Sequence, residues 1–213
     1  MIALPRLYAI ADAAFGDPVV LARGLFDGGA RLVQIRNKNA SVREFFDQVV
    51  AVLEFAPADS RVIVNDRADV ALLSGAGGVH LGQKDLPPQR IRKILSGSQI
   101  LGYSTHSPGQ ALDAEALPVD YIAAGPVFPT STKADADPVI GLNGLREICS
   151  RASRPVVAIG GITMQNARDV FACGAVSVAV ISDLLKSGDV ARRTEEWLRY
   201  NSEVCGPPSI FTS

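Results

Sequence analysis

The sequence predicts one α/β domain, a single (β/α)8 barrel of the TIM type, in which eight parallel strands alternate with helices and close on themselves. Three observations lead there. Short β-rich apolar runs recur along the chain, at 6–11, 31–36, 61–65, 78–81, 99–104, 119–124, 155–159 and 176–181. Their starts lie 17 to 36 residues apart, which leaves room for a loop and an amphipathic helix and is too far for a hairpin. Several runs are apolar on successive positions, among them Val156-Val157-Ala158-Ile159 and Val178-Ala179-Val180-Ile181, as strands buried on both faces are. A doubly wound open sheet is the alternative, but it more often stops at about five to seven strands. Eight repeats without a break in composition favour closure.

At 213 residues the chain could form one large domain or two small ones. With no linker in view, residues 1–200 are expected to form the barrel. Residues 201–213, which lose periodicity and contain Pro207-Pro208, are expected to be a loose C-terminal tail. The 21 Lys+Arg against 22 Asp+Glu leave a net charge of −1, so there is no bulk electrostatic reason for a nucleic-acid or membrane-surface partner. With 47% hydrophobic residues the chain is too apolar to stay disordered, yet no apolar run reaches the roughly 18 residues of a membrane span. The opening MIALPRLYAIAD has no basic segment followed by a long apolar one, so no secretory signal is expected. Three widely spaced cysteines, Cys149, Cys173 and Cys205, suit a reduced, cytoplasmic protein. Assembly into a homo-oligomer is left open.

Helical faces fill the gaps between strands: Val42, Phe45, Phe46, Val49, Val50 and Leu53 form one, and Ala167, Val170 and Phe171 another. In such a barrel chemistry sits at the C-terminal ends of the strands, and the polar residues there can be taken in order. The second strand ends in Gln34-Ile35-Arg36-Asn37-Lys38, and alternation turns Gln34, Arg36 and Lys38 inward if Val33 and Ile35 pack against helices. An interior arginine needs an anion, either a ligand or a structural salt bridge.

The third strand ends in Asn65-Asp66-Arg67, and the fourth leads through His80 to Asp85. Asp66 and Asp85 thus reach one rim from adjacent strands. Two carboxylates without a cysteine or histidine cluster suit a hard cation such as Mg²⁺. The plainer alternatives are an Asp66–Arg67 pair and an Asp85 cap on a helix starting near Pro87. The fifth strand ends in Ser104-Thr105-His106-Ser107, where the pre-proline Ser107 is expected to cap a helix. His80 and His106 are the only histidines and lack zinc-site spacing; a structural hydrogen bond is expected for His80.

After the sixth strand a long loop, 125–137, carries Thr130, Ser131, Thr132 and Lys133 and reads as a substrate lid or a plain surface loop. The seventh strand ends in Gly160-Gly161-Ile162-Thr163 and the eighth in Ile181-Ser182. Exposed glycine N–H groups beside a helix start can cradle a phosphate at this place in a barrel, although the glycines could simply serve the turn.

The rim therefore offers two anion sites. Arg36, Lys38, Asn65, Lys133 and a cation on Asp66 and Asp85 suit a diphosphate, while Gly161 and Ser182 suit a monophosphate. No nucleophile with a paired base is apparent. The combination points to transfer of a group from a diphosphate ester to a phosphorylated acceptor, both small molecules.

The segments VQIRNK (33–38), VIVNDRADVAL (62–72), GVHLGQKD (78–85), GYSTHS (102–107), GPVFPTSTK (125–133), AIGGIT (158–163) and AVIS (179–182) closely resemble the thiamine-phosphate synthase family, in order from about residue 6 to 185. The resemblance implies a transferase that joins 4-amino-5-hydroxymethyl-2-methylpyrimidine diphosphate to a thiazole phosphate, whose carboxylated form loses CO₂, to give thiamine monophosphate and diphosphate. It implies that Gln34, Ile35, Arg36, Asn37, Lys38, Asn65, Ser104 and Lys133 bind the pyrimidine diphosphate, with Arg36, Lys38, Ser104 and Lys133 catalytic. It further implies that Asp66 and Asp85 hold Mg²⁺, and that Thr130, Ser131, Thr132, Gly161, Ile181 and Ser182 hold the thiazole phosphate. The implied mechanism is dissociative: leaving-group charge is stabilised and the thiazole nitrogen is the nucleophile. Two positions depart from the family pattern, Asn37 where many members carry Glu and Ala11 where Thr is common. The related thiazole tautomerase is the rival reading, because it uses a histidine in the strand-five motif, here His106. It tends to lack the paired carboxylates and the diphosphate set, which this chain has. A non-catalytic regulator that binds thiazole phosphate is the third reading; it should have lost Asp66, Lys38 or Lys133.

Overall fold

Eight parallel strands pair each with the next, and the last with the first, to close a barrel. They are β1 (Leu7–Asp12), β2 (Leu32–Arg36), β3 (Arg61–Asn65), β4 (Gly78–Leu81), β5 (Ile100–Thr105), β6 (Tyr121–Ala124), β7 (Val156–Ile159) and β8 (Ser177–Val180). The computed structural model describes residues 3–130 and 137–205, the last two by their backbone alone. Between and after the strands run α1 (Pro18–Asp27), α2 (Val42–Leu53), α3 (Ala68–Ser74), α4 (Pro88–Ile91), α5 (Pro108–Ala114), α6 (Gly141–Arg151), α7 (Ala167–Ala172), α8 (Ser182–Leu185) and α9 (Val190–Cys205). Among the described residues no helix is long and apolar enough to cross a membrane.

Strand alternation divides the apolar residues into two cores. Val33, Ile35, Val62, Val64 and their counterparts face outward into the layer shared with the helices. Leu32, Ile63, Ile100, Tyr121, Val157 and Ala179 face inward and, with Tyr8 and Leu4, fill the barrel. The same alternation carries inward positions up to the rim, so that Asp12, Arg36, Asn65 and Ser104 finish the inner faces of β1, β2, β3 and β5.

Helix starts follow from local chemistry. Asp17 accepts the Val19 N–H at 2.8 Å ahead of Pro18, Ser41 accepts the Glu44 N–H at 3.2 Å, and Ser107 accepts the Gln110 N–H at 3.2 Å ahead of Pro108. Each satisfies a donor that the first helical turn leaves unpaired. Ser107 is thus the cap expected of it.

One element runs further than expected. α9 continues to Cys205, so residues 201–205, expected to begin a loose tail, are helical, and Asn201 is buried. Residues 206–213 lie outside the described residues. The helix is anchored by Trp197, which is fully buried and donates its indole N–H to Asp183 Oδ2 at 2.6 Å, while Arg193 holds the same carboxylate at 2.9 Å. Hydrogen bonds to charged groups contribute about 1.5–3 kcal/mol each. Trp197→Phe, which keeps an aromatic ring but removes the donor and part of the buried volume, is expected to lower the thermal midpoint by at least about 4–8 °C. An unchanged melting curve would show the indole anchor to be dispensable.

Candidate active site

The C-terminal ends of β2 to β5 gather charged groups of both signs. Arg36 turns inward as expected and meets Asp12 at 2.5 Å, Nη1 to Oδ2, with Asp12 almost wholly buried. The structural salt bridge foreseen as one alternative is therefore present, and it occupies one of five guanidinium donors. Nothing in the sequence reading named Asp12. The usable signal was positional: Asp12 and Arg36 end neighbouring strands and are partners in the ladder. Two of the residues assigned to the pyrimidine diphosphate turn their side chains elsewhere. Ile35 is fully buried among the outward-facing residues, and Asn37 spends its oxygen on the Asn39 and Ala40 N–H groups and its nitrogen on Gln48 at 3.2 Å. Alternation points both away from the barrel axis, so only their backbone can meet a rim ligand.

Asp66 stands just past β3 with φ of 61°, a left-handed conformation that side chains seldom adopt and that clusters at functional sites. Its N–H donates to the His80 carbonyl at 2.8 Å, and its carboxylate lies 3.2 Å from Lys38 Nζ. The alternative pairing with Arg67 is not formed, because Arg67 turns to Asp69 at 2.9 Å. Asp85 does not cap α4 either. It accepts the Gly82 N–H at 2.6 Å and closes the turn after β4, while Pro87 precedes α4 without a side-chain cap.

Burial pushes the Asp85 carboxyl up, against the Gly82 N–H and Lys38, and the Asp66 carboxylate beside it pushes in the same direction as burial. Two adjacent carboxylates cannot both carry full charge unless a cation stands with them. Lys38 supplies a single positive charge, more than half exposed. A small hard dication, which takes few protein ligands and keeps waters and phosphate oxygens, fits this donor set. Among the described residues no group of three or more histidines, cysteines and carboxylates gathers, as a soft-metal cage would require.

Below this rim a polar chain crosses the barrel interior. Ser104 Oγ lies 2.9 Å from His80 Nε2, and His80 Nδ1 lies 2.9 Å from the Tyr121 hydroxyl. The Tyr121 hydroxyl donates to Tyr8 at 3.1 Å, and Gln34 Nε2 donates to the same Tyr8 oxygen at 2.7 Å. His80 thus makes the structural hydrogen bonds expected of it, and one of them reaches a candidate catalytic residue. Gly102 opposite them leaves the room: a Cβ there would lie 2.1 Å from Tyr121 Cζ and 2.5 Å from His80 Nδ1.

The ends of β5 to β8 form a second pocket, lined by Ser104, His106, Thr130, Gly161, Ile181 and Ser182 among others. Gly160 and Gly161 have φ of 99° and 63°, and a Cβ on Gly161 would lie 2.6 Å from the Pro129 carbonyl oxygen. The glycines therefore serve the turn and also let the loop after β6 lie directly on it. Asn166 fixes the turn by donating to the Gly161 carbonyl at 3.0 Å and accepting the Thr163 N–H at 2.9 Å. His106 enters the pocket with Nδ1 2.7 Å from the Gly125 carbonyl oxygen and Nε2 3.4 Å from Asp137. Ser131, Thr132 and Lys133 lie outside the described residues.

Comparison with known proteins agrees with this geometry. Residues 7–184 match the family described as thiamine monophosphate synthase. The thiamine-phosphate synthase of Koribacter versatilis is 44% identical over 203 residues, covering 92% of this chain and 95% of that protein. That of Pyrococcus furiosus is 42% identical over 202 residues, covering 94% and 97%. A solved structure of thiamine phosphate pyrophosphorylase from Pyrococcus furiosus superposes with a TM-score of 0.87 at 41% identity, covering 94% of this chain and 97% of the other.

Proposed function

This chain belongs to the thiamine monophosphate synthase family, and from that premise we propose how its rim carries out the condensation. The activity is that of a thiamine-phosphate synthase, a transferase. The observation that carries the proposal is one rim shared by two unlike groups of residues. Asp66, Asp85 and Lys38 stand together on one side and the Gly160-Gly161 turn and Ser182 on the other, with Ser104 lining the second group and hydrogen-bonded to His80.

The pyrimidine diphosphate sits over β2 to β5, with Gln34, Arg36, Lys38, Asn65 and Ser104 around it and Lys133 as a further ligand. Asp66 and Asp85 would hold Mg²⁺, which supplies positive charge to the departing diphosphate. The C–O bond of the hydroxymethyl group breaks and diphosphate leaves with the electron pair. Arg36, Lys38 and Lys133 stabilise the growing negative charge, and Arg36, held by Asp12, does so at no reorganisation cost when the bond breaks. The thiazole phosphate is held by Thr130, Ser131, Thr132, Gly161, Ile181 and Ser182, so that its ring nitrogen faces the cationic methylene carbon and forms the new C–N bond. Holding both partners in that geometry replaces a nucleophile of the protein's own. Diphosphate release with both substrates and Mg²⁺, and its loss on chelation, is the test.

A cytoplasmic location fits the free thiols of Cys149, pushed up to about 11 by burial, and Cys173. Nucleic acid is not expected as a partner of a near-neutral chain, and a homo-oligomer is compatible with the barrel.

His106 favours a second reading, tautomerisation of the thiazole, because it lines the acceptor pocket with a carboxylate at its far nitrogen. Condensation itself calls for no proton transfer to or from the protein in its bond-making step. His106→Ala is therefore expected to keep turnover within about tenfold of the wild type, since removing a general acid or base costs about 10²–10⁴-fold. A loss on that larger scale in a condensation assay would place His106 in the chemistry.

A further inference from the structure

We propose that Lys38 and the dication compete for the Asp66 carboxylate, so that metal binding turns the lysine from Asp66 to the diphosphate and the two ligands bind cooperatively. The proposal rests on the reading of Asp66 and Asp85 as the dication site.

Lys38 follows the end of β2 and Asp66 the end of β3, and these strands are neighbours in the barrel. Lys38 Nζ lies 3.2 Å from Asp66 Oδ2, and Asp85 is within electrostatic reach of both groups. One ammonium therefore serves the same carboxylates that would hold a dication. A dication on Asp66 would have that ammonium beside it as a like charge, and the two repel at such short range. Each positive group thus weakens the hold of the other on the carboxylates.

Of the groups involved, the lysine is the one that can move. Asp66 is fixed through its N–H on the His80 carbonyl at 2.8 Å, and Asp85 accepts the Gly82 N–H at 2.6 Å. Lys38 has a side chain 56% exposed, on a flexible four-carbon stem. Arg36, which ends the same strand, behaves in the opposite way: it is 12% exposed and clamped to Asp12. An ion pair as exposed as that of Lys38 is weak, so a dication can displace it. The displaced ammonium stays tethered to the rim beside Arg36, where a diphosphate oxygen is the next anion for it. Coupling between sites is reciprocal, so a diphosphate that engages Lys38 also clears Asp66 for the metal.

The first test is Mn²⁺ binding to the substrate-free protein, read from the electron paramagnetic resonance of free Mn²⁺, an ion that takes the same oxygen ligands. Lys38→Met removes the charge and keeps the stem. It is expected to bind Mn²⁺ about tenfold more tightly than the wild type, because no ion pair has to be broken and the like charge is gone. Arg67→Met removes a cation next to Asp66 in sequence but paired with Asp69, and should change the affinity less than about twofold. Equal affinities for wild type and Lys38→Met overturn the proposal. Equal tightening by both substitutions does so too, since it would be a general effect of charge.

The second test is calorimetric binding of inorganic diphosphate to wild type and Lys38→Met, after chelation and again with Mg²⁺. The ratio of the two affinities is compared, so that association of Mg²⁺ with diphosphate in solution cancels. Lys38→Met is expected to weaken binding less than about threefold without metal and about tenfold or more with it. The same ratio under both conditions overturns the proposal. Asp66→Asn is expected to abolish Mn²⁺ binding. Binding that survives this substitution places the metal elsewhere and defeats the reading of the rim, and the proposal with it. Binding that needs Asp66 but is indifferent to Lys38 overturns the proposal alone.

Discussion

Asp66→Asn is expected to lower turnover by about 10²–10³-fold, because a bound metal ion contributes several kcal/mol of transition-state charge stabilisation and each 1.36 kcal/mol is about tenfold. Asparagine is the chosen replacement because, with aspartate, it is among the residues that tolerate the left-handed backbone found at position 66. The ion pair lost with Lys38 is half exposed and contributes about 0–1 kcal/mol. Removing one of two crowded carboxylates offsets part of that. The thermal midpoint should therefore stay within about 3 °C of the wild type while kcat falls. Parallel melting curves and steady-state rates at saturating Mg²⁺ check the separation. Undiminished turnover would remove Asp66 from the site, and a fall in stability matching the fall in rate would make it a structural residue.

Gly102→Ala is expected to be strongly destabilising. The new methyl group would fall 2.1 Å from Tyr121 Cζ, 2.3 Å from its hydroxyl and 2.5 Å from His80 Nδ1. Neither ring can move aside without giving up the stack or a hydrogen bond. Overpacking of this kind costs about 1–3 kcal/mol, and leaving a buried polar group without its partner adds about 1–3 kcal/mol more. A loss of about 3–5 kcal/mol should appear as a lower denaturant midpoint with an unchanged slope. Activity should fall as well, because the same methyl group displaces the ring that orients Ser104. A stable, fully active variant would mean that the interior rings have more freedom than their packing allows.

Both residues illustrate what could be read along the chain and what could not. The rim position of Asp66 and Asp85 was legible, since strand ends and alternation depend only on local pattern. The same logic turned Gln34, Arg36 and Lys38 inward and set the observed strands within a residue or two of their expected limits. Contacts across the barrel were not legible. Tyr8, His80 and Tyr121 meet from strands 41 and 113 residues apart in sequence, and Asp12 reaches Arg36 only through the register of β1 on β2. Nothing local marks Gly102 either, because its crowding comes from Tyr121 and His80 on neighbouring strands. Ile35 and Asn37 were drawn into the site by their place in a motif, although their alternation already pointed them outward. The end of α9 was missed because its last turns are polar: Asn201 is buried by tertiary packing, with α9 lying against α1, and not by an apolar stripe.

The central claim is that one rim brings a metal-assisted diphosphate site and a monophosphate pocket together for condensation. Its most direct test is incubation of the purified protein with Mg²⁺, the 4-amino pyrimidine diphosphate and the thiazole phosphate. The reaction is followed for thiamine monophosphate and free diphosphate together. Equal amounts of the two products, abolished by chelating the metal, are expected. Isomerised thiazole with neither product would contradict the account and would make His106, rather than Asp66 and Asp85, the centre of the chemistry.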